Sequence, residues 1–158
     1  MTSQSSTIQG RVPELDQMSK GLLPVLRYFH LSLHEPLSHG WRHGFEAAVG
    51  TWGQDRGLAI AQAAQKFVYD LMRCCQSPLH FNDPLDIDKR CALTSDERVV
   101  LTLLIYMRRD DVKNARDMIS RLHKGQIDPV FVRHGLALSA ILDGTPSRVR
   151  PPKLTVVG

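Results

Sequence analysis

Four of the seven histidines lie at positions 30, 34, 39 and 43, in two pairs each spaced by four residues. Neutral imidazole ligates zinc and related divalent ions, and two imidazoles four apart on a helix share a face, where both can reach one ion. Pro36 supplies a turn between the pairs, across which His34 and His39 could meet, with Glu35 beside them. His30, His34, His39 and His43 are therefore the candidate metal site, with zinc as the ion. The competing account places the first pair at the rim of an apolar helical arc, a common setting for a half-exposed histidine. No HExxH pattern accompanies them.

Other residues with metal or nucleic-acid chemistry are less well arranged. Cys74, Cys75 and Cys91, with His80 between, lack the C-x2-C pairing of zinc sites. Adjacent helical cysteines point about 100° apart, so burial at the edge of an apolar arc is the expected role of Cys74 and Cys75. Counting a calcium loop from Asp86 puts Asp88 at its third position and Glu97 at its twelfth. It also puts Arg90 and Cys91 where a ligand and a glycine are required, which excludes an EF-hand. Arg109, Lys113, Arg116 and Lys124 form a basic stripe along the predicted helix 112–124 that could meet phosphates. Asp110, Asp111 and Asp117 interrupt it. There is no nucleophile elbow, phosphate loop or dinucleotide fingerprint.

The elements that must position these residues are helical. Thr94-Ser95-Asp96-Glu97 is a capping box opening a helix over 95–107 that is apolar almost all round. Arg108-Arg109-Asp110-Asp111 ends it, and one of these Asp residues is expected to cap a second helix, with Val112, Ala115, Met118, Ile119 and Leu122 on one arc, which stops at Gly125. Asp128-Pro129 opens a third, closed by Gly144. In the first half, a short helix is expected from Pro13 to Met18, ending near Gly21. A longer one is expected from Pro24 to the Pro36 stop, and a weak one over 38–51, burdened by Gly40, Gly44 and Gly50. The strongest runs from Asp55 to Cys75, with Ile60, Ala64, Phe67, Val68 and Leu71 inward. Lys66, Asp70 and Arg73 are expected outward, with Lys66 and Asp70 paired. Residues 76–93 read as a long irregular connection between two helical halves.

Composition sets the frame. The 158 residues suffice for one domain with its own core. No run approaches the roughly 18 apolar residues of a membrane span. The N-terminus lacks the cationic and apolar regions of a secretory signal, and three cysteines make no disulfide framework. The cytoplasm is the expected compartment. Lys and Arg number 20 against 16 Asp and Glu, but Arg148, Arg150 and Lys153 lie after Gly144, which leaves 17 against 16 in the body. A nucleic-acid binder is expected to carry a more basic body than this.

The expected fold is an all-α, bundle-like domain of five or six helices over residues 12–144. A leader over 1–11 and a basic, proline-containing tail over 145–158 flank it. Helix 95–107 is expected at the centre, with helix 55–75 as its main partner. The expected function is a non-enzymatic cytoplasmic module for protein–protein interaction or regulation, with a protein partner or a second copy bound. The alternatives are a metal-binding protein using the histidine cluster and a weak nucleic-acid binder using helix 112–124 and the tail.

Overall fold

Six α-helices account for most of the molecule: α1 Gln17–His34, α2 Gly40–Trp52, α3 Gln54–Cys74, α4 Ser95–Arg108, α5 Val112–Leu122 and α6 Pro129–Leu142. Two short strands, β1 Ile8–Arg11 and β2 Ala92–Thr94, pair antiparallel. This computed structural model describes residues 8–143; Gly144 and the tail lie outside the described residues. The all-α, single-domain expectation is met. Among the described residues, no helix is long and apolar enough to cross a membrane.

The first half differs from its reading at α1. Gln17–His34 is a single helix, begun by Asp16, whose carboxylate accepts from the Ser19 amide at 2.8 Å. Pro24 sits inside it and denies the Lys20 carbonyl its usual donor. The helix continues because Leu22, Leu23, Val25 and Leu26 around that point are all buried, and packing outweighs the missing bond.

Helix α2 forms despite its glycines, because two of them let helices approach closely. A Cβ on Gly40 would stand 2.6 Å from the Tyr28 carbonyl oxygen, and one on Gly44 would stand 3.0 Å from the Phe29 ring. Gly57 does the same for α2 against α3, where a Cβ would meet the Val49 backbone at 2.6 Å. The propensity cost of each glycine, about 1 kcal/mol, is offset by the contact it permits.

In the second half the sequence signals hold. Thr94 and Glu97 make the reciprocal capping box, with Glu97 N to Thr94 Oγ1 at 3.1 Å and Thr94 N to Glu97 Oε2 at 3.0 Å. Asp111 caps α5, and Asp128 caps α6 at the Val130 and Phe131 amides. The expected partnership of α4 with α3 is corrected. Helix α3 packs on α1, α2 and α6, whereas α4 packs chiefly on α5 and α6. Gly135 is the reason: at this position α6 is bare enough to take Met107 of α4 and Phe67 of α3 together, so α6 lies between the other two.

The leader read over 1–11 also includes paired chain. Ile8–Arg11 lies against Ala92–Thr94, and the Val12 amide donates to the Cys91 carbonyl at 2.9 Å.

Candidate functional site

Arg27 is the polar group on which the fold turns, and its side chain is almost wholly buried. Leu23 and Leu31, one turn before and after, are also buried, so Arg27 lies on an inward stripe of α1. Its guanidinium makes a two-pronged contact with Glu97, Nε to Oε1 at 2.8 Å and Nη2 to Oε2 at 2.9 Å. It also donates to the Arg90 carbonyl at 3.0 Å and the Ala92 carbonyl at 2.7 Å. Glu97 in turn accepts from the Asn82 amide at 2.8 Å and from Thr94 N. Asn82 Nδ2 donates to the Ala92 carbonyl at 3.0 Å, and Thr94 Oγ1 donates to the His80 carbonyl at 2.6 Å. Residues 76–93 are thus held from inside by one ion pair and its hydrogen bonds. Each Glu97 carboxylate oxygen thus accepts two hydrogen bonds.

A second polar group ties α3 to α6. Asp70 is buried, contrary to its expected outward place, because it follows Phe67 by three residues and so turns toward α6. Its partners are His134 Nδ1 and, at 3.5 Å, Arg73, rather than Lys66. Arg73 also reaches Asp128 at 3.3 Å. His134 faces a cleft of about 390 Å³ bordered by Leu33, Lys66 and Tyr69. Sequence reasoning passed over His134 because its partner lies 64 positions away.

The histidine cluster divides. His30 and His34 meet, Nε2 to Nε2, at 3.2 Å. His30 also stacks on Phe81, with ring centroids 4.7 Å apart and planes at 26°. Burial, then the neighbouring His34, lowers the His30 pKa to about 4. The second pair goes elsewhere. His39 takes a left-handed conformation (φ 56°) before α2, and His43 lies against Tyr28 and 3.4 Å from Glu46. Among the described residues, no three His, Cys, Asp or Glu side chains are grouped to hold an ion. Cys74 and Cys75 are half-buried against the core, and burial raises the Cys75 thiol to about 11.

The basic residues of the nucleic-acid reading are also divided. Arg109 borders a hollow with Asp16 and Asp143, while Arg116 sits at the edge of a different groove beside Asp110 and Asp111. Lys113 is exposed, and Lys124 occupies a left-handed turn after α5.

That groove, between the end of α4, α5 and the first half of α6, has a volume of about 230 Å³. Asp110 at φ 55° reverses the chain after α4, and the Asp111 amide donates to the Tyr106 carbonyl at 2.9 Å, so α5 starts beside the end of α4. Only Ala115 and Ile119 of α5 are buried. Met107, Ala115 and Ile119 line the groove, and Val112, Val132 and Leu136 border it. Val112 is 66% exposed, Leu136 45% and nearby Ile127 43%. No family model, curated protein or solved structure matches the chain at a significant level.

Proposed function

We propose that this protein is a non-enzymatic cytoplasmic module acting through protein–protein contact, and that the groove between α4, α5 and α6 is its contact face. The observation that carries this reading is the open apolar strip of Val112, Ile127 and Leu136 beside a groove lined by Met107, Ala115 and Ile119. Contiguous exposed apolar surface beside a concavity is the usual mark of an interaction site. The occupant that fits is a second copy of the chain. Asp110 and Asp111 stand at the groove with Arg116. A strip carrying both signs is complementary to itself when turned about a two-fold axis, the commonest symmetry of oligomers.

The test is sedimentation velocity across a concentration series. The wild type is expected to associate as concentration rises, and Val112→Glu is expected to remain monomeric. Val112 is the first residue of α5, where an acidic side chain suits the helix dipole, so this variant should fold normally.

A further inference from the structure

The contact between His30 and His34 has dimensions that suit an ion. With nitrogen ligands about 2.0–2.1 Å from a tetrahedral zinc, the two nitrogens stand roughly 3.3 Å apart. The observed Nε2–Nε2 separation is 3.2 Å. The inner ring is already held for that role. Phe81 stacks against His30, with ring centroids 4.7 Å apart. The Nε2–Nε2 contact is a hydrogen bond, so one ring carries its proton there; an ion entering between the rings takes the place of that proton, with both rings then protonated on Nδ1, the tautomer of a histidine bound to metal through Nε2. His34 is exposed on the last turn of α1 and can turn its own lone pair to the same point.

We propose that His30 and His34 together bind one late-transition-metal dication of the zinc type, with the remaining coordination positions open. The site is narrower than the four-histidine cluster, since His39 lies in the turn before α2 and His43 packs against Tyr28 and Glu46. With no third protein ligand grouped there among the described residues, water or a carboxylate from a bound molecule would complete the sphere. Imidazole pairs suit zinc, copper and nickel, whereas calcium and magnesium need oxygen ligands.

The experiment is a calorimetric titration of zinc into the full chain after chelator treatment and desalting, with His34→Ala and His43→Ala in parallel. One saturable equivalent is expected on the wild type and on His43→Ala. In His34→Ala the affinity should fall by at least the ~10–100-fold that loss of an outer-shell partner alone costs. Three results overturn the proposal. One is absence of saturable binding to the folded wild type. Another is undiminished binding in His34→Ala, which would place the ion on Cys74, Cys75 or Cys91. The last is an equal loss in His43→Ala, which would restore the larger cluster. His34 is exposed, so its removal leaves the fold intact for this comparison.

Discussion

The two ends of α4 are built on opposite principles. At the N-terminal end, Thr94, Glu97 and Arg27 close every polar group onto another, and the Glu97 and Arg27 side chains are 0% and 4% exposed. At the C-terminal end, Met107 faces a groove, α5 buries only two residues, and Val112 and Leu136 remain in contact with solvent. An enclosed, fully paired network fixes one arrangement of the chain and offers nothing to a partner. An open apolar groove contributes little to the fold and can contribute much to association. The comparison separates residues that specify the structure from residues available for function.

The sharpest way to break this contrast is at the closed end. Glu97→Ala leaves the Arg27 guanidinium buried without its counter-charge and should cost about 3–5 kcal/mol. Chemical denaturation measures it, and a loss below about 1 kcal/mol, the worth of an exposed pair, would mean the pair is solvated.

Acid gives the next largest effect. His30 has an ordinary pKa of 6.5 and a folded value of about 4, so at pH above 6.5 both states are neutral and its contribution does not vary. Between 6.5 and 4 the unfolded chain takes up a proton that the folded chain refuses, and stability falls by up to roughly 3 kcal/mol. Burial lowers the His123 pKa as well and acts with the same sign. The melting temperature of the wild type should drop across this window, and His30→Gln should drop less. A flat profile in the wild type would show that His30 is hydrated.

Thr94→Ala removes the cap of α4 and should cost about 1 kcal/mol, with the helix otherwise retained. A neutral result by thermal melting would place the start of α4 elsewhere. At the open end the expected stability change is smaller still. Val112→Glu should alter the melting temperature of the monomer by no more than ±0.5 kcal/mol equivalent, as for an ordinary surface site, while removing association.

How far the sequence foretold this depends on the range of each interaction. The caps at Thr94 and Asp128 were legible, and that of α5 to within the Asp110-Asp111 pair, because a cap and its amides lie within three residues. The continuous α1 was not, because Gly21 and Pro24 are local breakers overruled by burial from other helices. Arg27 and Glu97 are 70 positions apart, and Asp70 and His134 are 64 apart. Neither pair leaves a periodic trace. The one available signal for Arg27 was a charge between Leu23 and Leu31 on an apolar stripe. Of the four clustered histidines, the two on one helix were brought together, as helical spacing requires. The other two depended on the path through Pro36–Ser38, which turns α2 so that His43 meets Tyr28.

Association through the α4–α5–α6 groove is tested most directly by backbone amide NMR spectra recorded over a dilution series. Other exposed apolar residues compete for the role, notably Leu37 at 92% and Trp41 at 49% exposure beyond the end of α1. The groove account predicts concentration-dependent shifts confined to the end of α4, to α5 and to residues 127–136, and absent from Val112→Glu. Spectra independent of concentration, or shifts centred on Leu37 and Trp41, would contradict it.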